Sequence, residues 1–591
     1  MAAMYANVVE MQEAACRGFA SRPLFGTKQD GAYRWITYAE FGRSVDEARA
    51  GLASLGIGAG DRVAVIANNC VEWAVAAYAT YGLGAQFVPM YEVQSPDDRR
   101  YVLRDSAARV LFARDRSVVE QVKDLPQEIE SLERVVVLQG EAPGAVSLAA
   151  LRASGRRHPV PSVKPNGHAP MGFTYTSGTT GAPKGVILTH ANLMAELESL
   201  DELVGLTETD RSLSFLPWGH LMGQIEEVHF VLSKGLSTAI VPDMHKILDD
   251  FSLVRPTLFF TVPKIFHKLH ESVHTRMRRQ GGMARLLFER GCASATRAAR
   301  GESLSVSEQL ALTLARHFVF PRIGRLFGGR LRLAVCGGAP LSPEVAQFLD
   351  HLGVIVLEGY GLTETTMAIA VNTPRNRRIG SVGRPVRGAR VVLDETVDGA
   401  GPGEGEIIVY GPHVTPGYHG LPDEFAACLT PDGGLRSGDL GRFDADGFLY
   451  VTGRCKEIYK LENGKYVAPA PLEERMRESR YVDHAMLYGE GRPYNVAIVV
   501  PDRAEARELA RAVGIDPDRE GWLEREPVRG PIEADIETRT RGLRSYERPR
   551  RLLLVEEEWT PANGLLTPTL KVRRRNVTQK YLPRVEQLYA R

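Results

Sequence analysis

The chain has 591 residues, of which 44% are hydrophobic and 25% are charged. This composition is typical of a soluble globular protein with more than one domain, and it excludes disordered, collagen-like and coiled-coil proteins. The formal net charge is only +1, from 73 Lys and Arg against 72 Asp and Glu, so we do not expect a nucleic-acid-binding protein with a strongly basic surface.

The first 160 residues alternate between helical and strand patterns. We predict a helix over 44–55, a strand over 62–67, a helix over 71–81 and a strand over 85–88. This alternation predicts parallel βαβ units.

The stretch 73–91 is uncharged over its whole length, as a membrane span would be. It contains Gly82, Gly84, Gln86 and Pro89, which favour a helix, a turn and a strand over one spanning helix. Near the N-terminus, Glu10 and Glu13 stand where a secretory signal would be apolar, so we expect no secretory segment.

A Pro-rich, basic linker is predicted at 156–170. After it we predict a Thr-rich loop over 174–185, a helix over 190–204, and strands near 212–216 and 238–241. The arginine-rich segment 267–330 reads as a helical excursion. Its basic side chains form either a solvated helix face or a patch that meets an anionic membrane surface.

Strands resume at 331–335 and 354–357. The Gly-, Pro- and Asp-rich segment 375–450 predicts a small β subdomain. From 457 onward the pattern is α+β, with strands at 497–500 and 552–555, so we place a domain boundary at 453–456.

Cysteine usage favours a reducing compartment and therefore a cytoplasmic location. Six cysteines are scattered along the chain, and no two have the CxxC spacing of a zinc site or a redox motif. Three disulfides are the alternative for an even number, but a chain of this length builds a core without them.

The strongest chemical signal is the segment 175–185, Tyr-Thr-Ser-Gly-Thr-Thr-Gly-Ala-Pro-Lys-Gly. Its glycines let the backbone approach an anion, and its hydroxyls and lysine can donate to phosphate oxygens. It does not meet the Walker A pattern. We predict that it lies between an apolar strand and the helix that begins near His190.

Further motifs follow in chain order. They are SFLPWGHLMGQ at 214–224, GGAP at 337–340, EGYGLTE at 358–364, SGDLG at 437–441, GRCKEIYK at 453–460 and NGLLTPTLK at 563–571. The second and third follow predicted strands, where loops leave the carboxyl edge of an open α/β sheet and ligands bind.

Taken together, these motifs resemble those of the AMP-forming adenylating enzymes, which include acyl-CoA synthetases, peptide-synthetase adenylation domains and luciferases. The resemblance covers nearly the whole chain. It implies an α/β fold with a large N-terminal domain at 1–452, built of parallel α/β subdomains and a small β subdomain. A hinge at 453–456 and a small mobile α+β C-terminal domain at 457–591 would follow.

The resemblance also implies roles in binding ATP and Mg²⁺. Residues of the phosphate loop would contact phosphate: Thr176, Ser177, Gly178, Thr179, Thr180, Gly181 and Lys184. The turn Gly338, Ala339 and Pro340 would pack beside adenine. In the segment Glu358, Gly359, Tyr360, Gly361 and Thr363, the tyrosine would stack on adenine and the threonine would contact phosphate. Glu364 and Thr176 would hold the magnesium ion, since Mg²⁺ prefers hard oxygen ligands.

In the C-terminal third, the resemblance implies that Asp439 and Arg454 contact the ribose. It also implies that Lys456 stands at the hinge position and that Lys460 lies near the phosphate. Lys571 matches the catalytic lysine of the family. Two positions depart from the usual pattern: Ser437 replaces a threonine, and Leu570 replaces a glycine in front of the lysine.

The substrate is indicated by a narrower resemblance. The segments 461–469, 255–257, 262–264 and 567–571 resemble the long-chain fatty acyl-CoA synthetase branch, and His220 matches the residue that borders the substrate carboxylate. We therefore predict ATP-dependent activation of a long-chain fatty acid, held in an apolar tunnel, followed by thioester formation with CoA. The implied catalytic residues are Lys571, Thr176, Glu364 and His220.

Two alternatives remain at this point. The acyl group could be transferred to an acyl carrier protein instead of CoA, since the first half-reaction needs the same motifs. A non-catalytic nucleotide-binding or membrane-associated scaffold is a remote alternative, because Lys571 and Glu364 are both present. Contact with the inner face of the membrane is an open expectation, and no nucleic-acid partner is expected.

Overall fold

The computed structural model describes residues 5–176, 182–201, 205–567 and 569–590. Strands in the described residues are β1 Pro23–Gln29, β2 Ala32–Thr37, β3 Arg62–Ile66, β4 Gln86–Met90, β5 Val110–Ala113, β6 Arg134–Val137, β7 Val146–Ser147, β8 Pro170–Thr176, β9 Lys184–Thr189, β10 Arg211–Ser214, β11 Ser237–Ile240, β12 Leu258–Thr261, β13 Leu333–Cys336, β14 Ile355–Leu362, β15 Met367–Val371, β16 Arg384–Pro385, β17 Arg390–Asp394, β18 Gly405–Tyr410, β19 Leu435–Phe443, β20 Leu449–Arg454, β21 Tyr459–Lys460, β22 Tyr466–Val467, β23 Val482–Tyr488, β24 Asn495–Pro501 and β25 Pro549–Leu554.

The α-helices are α1 Val8–Gly18, α2 Tyr38–Ser54, α3 Val71–Tyr81, α4 Pro96–Asp105, α5 Arg116–Val122, α6 Leu125–Glu128, α7 Leu148–Arg157, α8 His190–Asp201, α9 Leu221–Gly223, α10 Val231–Ser233, α11 Ile247–Val254, α12 Pro263–Gln280, α13 Gly282–Ala299, α14 Val306–Leu314, α15 Phe320–Gly324, α16 Pro343–His351, α17 Pro422–Ala426, α18 Pro469–Arg477, α19 Arg503–Ala512, α20 Glu526–Thr540 and α21 Arg574–Ala590. Two π-helical turns, Gln224–Phe230 and Ala315–Val319, and four 3₁₀ turns complete the described helical elements, the 3₁₀ turns being Met244–Lys246, Arg325–Phe327, Thr363–Thr365 and Trp522–Glu524.

The described chain divides into two compact units. One comprises the chain up to Val391 together with Val409–Leu435, and the other comprises Val392–Ile408 together with the chain from Arg436 onward. The chain therefore crosses between units three times.

A seven-stranded sheet dominates the first unit, in the order β7-β6-β5-β3-β4-β8-β9. Its strands pair in parallel up to β8, as the alternation of helix and strand patterns predicts. The inner strand β5 is buried at all four positions, which is the uniform burial expected of a parallel strand covered on both faces. Helix α3 and strand β4 occupy most of the uncharged stretch 73–91, as predicted.

A five-stranded sheet in the same unit runs in the order β12-β13-β14-β15-β16, and its first three strands are parallel. A third sheet has the order β10-β11-β1-β2. The carboxyl ends of β13 and β14 carry two of the motifs identified in the sequence.

The prediction for the phosphate-loop region is wrong in one respect. The expected Thr-rich loop over 174–185 was placed between a strand and a helix, but β9 intervenes before α8. Strand β8 extends to Thr176 and pairs antiparallel with β9, which starts at Lys184. The glycines and threonines of the motif had masked the strand character of Val186, Ile187 and Leu188.

The arginine-rich segment is helical, as predicted. It consists of α12, α13, α14 and α15 with the π-turn Ala315–Val319. A capping box at Ser305 and Glu308 starts α14, because the serine hydroxyl accepts from the Glu308 amide while the Glu308 carboxylate accepts from the Ser305 amide.

The second unit contains the sheet β23-β24-β25, in which β23 and β24 are antiparallel and β24 and β25 are parallel. The four-stranded sheet β17-β18-β19-β20 lies largely in this unit as well, and it forms from the Gly-, Pro- and Asp-rich segment predicted to be β-structured. All six cysteines are free thiols. Among the described residues, no helix combines the length and the apolar character needed to cross a membrane.

Candidate active site

The GGAP turn leaves the carboxyl end of β13 beside the second half of β14, which carries the EGYGLTE segment as strand up to Leu362 and not as the predicted loop. The strands pair in parallel with Cys336 opposite Glu358, so the turn that starts at Gly337 and the segment that starts at Gly359 emerge from the same edge. A Cβ added to Gly337 would lie 3.6 Å from the Gly359 carbonyl oxygen and 3.5 Å from Met222 Cε. The GGAP turn, the EGYGLTE segment and Met222 of the motif at 214–224 therefore converge at this edge.

Glycine is required at Gly361 by the close approach of the paired strands β14 and β15. A Cβ there would lie 1.2 Å from the Met367 carbonyl oxygen, which is far inside van der Waals contact. A shift in register lies between Tyr360 and Gly361 on this pair of antiparallel strands. This irregularity re-aims the half-buried Tyr360 at the end of the parallel part of the sheet.

Glu364 lies in the 3₁₀ turn Thr363–Thr365 and is held from two directions. The Tyr418 hydroxyl donates to Glu364 Oε1 at 2.9 Å, and the Thr415 amide donates to the Glu364 carbonyl oxygen at 2.8 Å. Burial raises the pKa of the Tyr418 hydroxyl, and the Glu364 carboxylate raises it further, so the phenol stays a donor. These two hydrogen bonds fix the position of the Glu364 side chain and of its backbone.

Lys184 approaches the same tyrosine. On the β8–β9 hairpin it pairs with Thr176, its ammonium forms a 2.5 Å ion pair with Glu424, and its Nζ lies 5.0 Å from the centroid of the Tyr418 ring. Tyr418 thus links the strand that carries Lys184 to Glu364. The predicted loop residues Ser177, Gly178, Thr179, Thr180 and Gly181 lie outside the described residues.

His220 starts the short helix α9, where its Nδ1 accepts from the Met222 amide at 3.2 Å. A Cβ added to Gly223 would lie 2.5 Å from the Pro217 carbonyl oxygen. The segment 217–223 is therefore a tight loop that only a glycine closes, and it presents Met222 toward the GGAP turn.

Glu227 organises this loop, and sequence reasoning missed it. Its buried carboxyl accepts from the Ser214 hydroxyl at 2.5 Å and from Trp218 Nε1 at 3.1 Å, and also from the amides of Phe215 and Leu216, both at 3.1 Å. Burial raises the pKa of the Glu227 carboxyl to about 8 against these hydrogen bonds, which lower it. Four donors on one carboxyl fix the backbone that leads to His220.

Glu358 lies in β14, directly before Gly359, and its side chain makes a structural contact. Its side chain is buried, and its Oε1 accepts from the Gly380 amide at 3.3 Å. Burial raises the pKa of this carboxyl to about 7. The carboxyl therefore ties the end of β14 to the 380 turn.

In the second unit, Asp439 and Arg454 face each other across β19 and β20. Arg454 Nε lies 3.0 Å from Asp439 Oδ1. The preceding Gly438 has φ +72°, and its amide donates to Glu406 Oε1 at 3.0 Å. The SGDLG motif is thus a turn that sets a buried carboxylate next to a half-exposed guanidinium. The exposed Lys456 and Lys460 follow on the same segment.

Lys571 lies on a loop between β25 and α21, and its side chain is exposed. Its amide donates to Thr567 Oγ1 at 3.1 Å, while its carbonyl oxygen accepts from the Thr567 amide at 2.8 Å. Leu570 has φ +61°, a left-handed conformation that favours glycine. This conformation agrees with the glycine that the resemblance leads us to expect in front of the lysine.

The two units have the fold of adenylate-forming enzymes. In solved structures, the adenylation domain of a carboxylate reductase from Mycobacterium chelonae superposes with a TM-score of 0.81 at 24% identity, over 99% of this chain and 91% of that one. ATP-bound MatB from Rhodopseudomonas palustris superposes with a TM-score of 0.70 at 23% identity, over 98% and 99%. At these identities the similarity shows the fold alone.

The sequence comparisons are more specific. The family model "AMP-binding enzyme" matches residues 12–419, and "AMP-binding enzyme C-terminal domain" matches residues 456–591. The chain belongs to the AMP-binding enzyme family.

Among curated relatives, the chain is 31% identical to long-chain-fatty-acid–CoA ligase FadD15 of Mycobacterium bovis, over 95% of this chain and 93% of that protein. It is 30% identical to the peroxisomal long chain acyl-CoA synthetase 7 of Arabidopsis thaliana, over 98% and 85%.

Proposed function

We propose that the chain is an AMP-forming long-chain fatty acid–CoA ligase. In the first half-reaction the fatty acid carboxylate attacks the α-phosphate of ATP, giving an acyl-adenylate and pyrophosphate. In the second, the CoA thiolate attacks the acyl carbonyl carbon, giving acyl-CoA and AMP. The observation that carries the proposal is the meeting of Met222, the GGAP turn and the EGYGLTE segment at the carboxyl edge of β13 and β14.

The first half-reaction brings two anions together, so the residues nearest the phosphates must offset repulsion. Phosphate contacts are proposed for Thr363, Lys184 and the loop residues Thr176, Ser177, Gly178, Thr179, Thr180 and Gly181. The Lys184 ammonium is held near Tyr418, because it forms an ion pair with Glu424 and lies over the Tyr418 ring.

A magnesium ion fits the donors that are present. No group of three or more His, Cys, Asp and Glu side chains among the described residues could hold a metal ion alone. Mg²⁺ needs only one or two protein oxygens when it also binds substrate phosphates. Glu364, positioned by Tyr418, and the Thr176 hydroxyl would hold it, and the ion would supply positive charge to the phosphates.

Nucleoside contacts are proposed separately for residues of the first unit and for residues of the second. The turn Gly338–Pro340 and the ring of Tyr360 would face adenine, with Glu358, Gly359 and Gly361 shaping the segment. The Asp439 carboxylate would accept the two ribose hydroxyls, and Arg454, whose Nε lies 3.0 Å from Asp439 Oδ1, would also contact the ribose.

Lys571 would stabilise the transition state of adenylation, because its ammonium is positively charged. The residue is exposed, and its amide donates to Thr567 Oγ1. Rotation of the domain 457–591 about the hinge 453–456, with Lys456 as the pivot and Lys460 near the phosphate, would exchange the groups at the site between the half-reactions. His220 would border the fatty acid carboxylate, and the acyl chain would extend past Met222 into an apolar tunnel.

The test is release of pyrophosphate and AMP with ATP, Mg²⁺ and a series of fatty acids of increasing length, with and without CoA. We expect pyrophosphate release to require a long-chain acid and sustained AMP release to require CoA. A matched loss of both products in Glu364→Gln, with retention in the exposed control Glu395→Gln, ties the activity to the proposed metal position.

The acceptor is decided by the same assay. If pyrophosphate appears in a single burst and CoA adds nothing, an acyl carrier protein replaces CoA in the proposal. If no fatty acid releases pyrophosphate, either the substrate is not a fatty acid or the motif series is a vestige in a non-catalytic scaffold.

A further inference from the structure

Six large apolar side chains are exposed on two consecutive helices of the first unit. The most exposed are Val306 at 82%, Met283 at 75%, Leu310 at 59% and Phe318 at 56%. Soluble surfaces rarely place so many in one region, and such clusters mark interaction sites. We call this set the apolar face: Met283, Leu286, Val306, Leu310, Leu314 and Phe318.

The spacing shows that the second helix contributes a continuous stripe. Val306, Leu310, Leu314 and Phe318 recur every four residues along α14 and the π-turn Ala315–Val319. Residues four apart lie on one side of a helix. On the other side, Ala311, Leu312 and Ala315 are buried against the protein.

The first helix brings Met283 and Leu286 to the same side. A Cβ added to Gly291 on α13 would lie 2.3 Å from Ala315 Cβ, and Arg297 further along α13 pairs with Glu308 on α14. The two helices are therefore antiparallel. We take the line through Gly291 and Ala315 as the line of contact between the two helices. At about 100° per residue, Met283 and Leu286 lie about 80° and about 140° around α13 from this line. Leu314 and Leu310 lie on the same side of the line on α14.

The segment that carries this face is strongly positive. The segment 263–330 contains thirteen Lys and Arg against four Asp and Glu, a formal excess of nine positive charges, whereas the whole chain has a net charge of +1. Exposed arginines from three helices contribute to it, among them Arg278, Arg290 and Arg322. The rest of the chain is correspondingly negative.

We propose that the apolar face docks on an anionic lipid bilayer, with the six side chains inserted at the headgroup boundary and the arginines on lipid phosphates. Apolar side chains on a helix surface, bordered by basic residues, are the features that bind such an interface. A second copy of the chain is less suited to this face, because two surfaces with the same large positive charge would repel. The binding does not depend on the ligase activity, although it would place the enzyme where long-chain acids accumulate.

The test is cosedimentation of the full-length chain with vesicles of phosphatidylcholine alone, or with about a third phosphatidylglycerol. We expect binding to the anionic vesicles that weakens as salt is raised. The double variant Leu310→Gln/Phe318→Gln should lower the partition coefficient about tenfold, since it removes two inserted side chains. The matched control Leu253→Gln/Val513→Gln changes two side chains of similar exposure elsewhere and should bind as the wild type.

The charge part has its own variant. Arg290→Gln/Arg322→Gln should bind anionic vesicles more weakly and with a smaller dependence on salt, with unchanged binding to neutral vesicles. Circular dichroism and the melting temperature of each variant verify that the fold is retained.

Three results would overturn the proposal: no binding to anionic vesicles, equal binding by the apolar-face variant, or a concentration-dependent dimer that this variant abolishes without vesicle binding. The last result would assign the face to a second copy. Because binding is measured without ATP or fatty acid, a chain that binds vesicles but has no ligase activity would contradict only the proposed function.

Discussion

At the scale of single residues, the Glu227 carboxyl shows how one buried group can hold a whole segment of backbone in place. The group satisfies four donors of the segment 214–218 that leads to His220. In the sequence it is one of 72 acidic residues, and nothing in its spacing distinguishes it from a surface glutamate. Only the three-dimensional structure, in which it is completely buried, reveals the role.

Glu227→Gln is expected to reduce stability in a pH-dependent way. An amide NH₂ cannot accept from Trp218 Nε1, so one buried donor is left unpaired at a cost of about 1–3 kcal/mol. The wild-type carboxyl has its pKa raised to about 8, so the folded state holds its proton between the ordinary carboxyl pKa of 4.5 and 8. Its contribution to the free energy of unfolding is therefore full below pH 4.5 and is lost as the pH rises toward 8.

Urea denaturation of wild type and variant from pH 5 to pH 8.5 measures this difference. The stability advantage of the wild type should shrink as the pH rises. His190 and His229, whose pKa values burial lowers to about 4 and about 3, titrate in both proteins and cancel from the comparison. A pH-independent difference would show that Glu227 is ionised throughout.

Tyr418→Phe should weaken the proposed metal position without unfolding the chain. The variant removes the 2.9 Å hydrogen bond to Glu364 and keeps the ring beside Lys184. We expect about a tenfold loss in kcat/KM, corresponding to one hydrogen bond to a charged group, together with a higher Mg²⁺ requirement. Tyr410→Phe, which loses a similar hydrogen bond to the exposed Asp432, is the control and should retain activity. An unchanged Mg²⁺ dependence in Tyr418→Phe would contradict the assignment of Glu364.

Lys571→Ala should abolish adenylation and leave the fold intact, because the side chain is exposed. We expect pyrophosphate release to fall at least about a hundredfold, as for the loss of a charge that stabilises a transition state. The exposed Lys465→Ala is the matched control. Near wild-type pyrophosphate release by Lys571→Ala would remove this lysine from the proposal.

At the scale of elements, the sequence predicted several apolar strands and helices, among them α3 and the helices of the arginine-rich segment, but not the irregular pieces. Helix α3 has the bounds 71–81 that its apolar pattern predicts, because that pattern is contained in the segment itself. Strand β9 was missed because its neighbours are glycine- and threonine-rich. The π-turn Gln224–Phe230 has no periodic signature, because tertiary packing of seven buried residues holds it.

Gly361→Ala tests the close approach of the paired strands β14 and β15. The added Cβ would overlap the Met367 carbonyl oxygen, so the strands must separate and disturb Tyr360 and Glu364. We expect a loss of about 2–4 kcal/mol in the free energy of unfolding, with loss of ATP binding in the fraction that stays folded. Gly205→Ala, where an added Cβ meets nothing within 4 Å, should be close to neutral. Equal thermal stability of the two variants would contradict the close approach of β14 and β15 at Gly361.

At the scale of the whole molecule, the motif series predicted the family, and the comparisons confirm it. The division of the chain was harder to foresee. A boundary read from composition is a single cut at 453–456, whereas the compact units exchange the strand-bearing segment Val392–Ile408 as well. Such an exchange depends on pairing between strands far apart in sequence, which no local pattern encodes.

The hinge proposed at 453–456 leads to a prediction that separates the two half-reactions. Proline at Lys456 fixes φ near −65° and restricts rotation of the backbone at this point. Lys456→Pro should therefore retain pyrophosphate release in a single turnover but form acyl-CoA at least about tenfold more slowly, because only the second step needs the rotated domain. Lys456→Ala removes the side chain without restricting the backbone, so it distinguishes the hinge from a contact made by the ammonium. If proline and alanine impair both half-reactions equally, the pivot lies elsewhere. If proline impairs only thioester formation, then the compact C-terminal unit moves between the steps, and the exposure of Lys571 reflects a residue that serves one step and withdraws for the other.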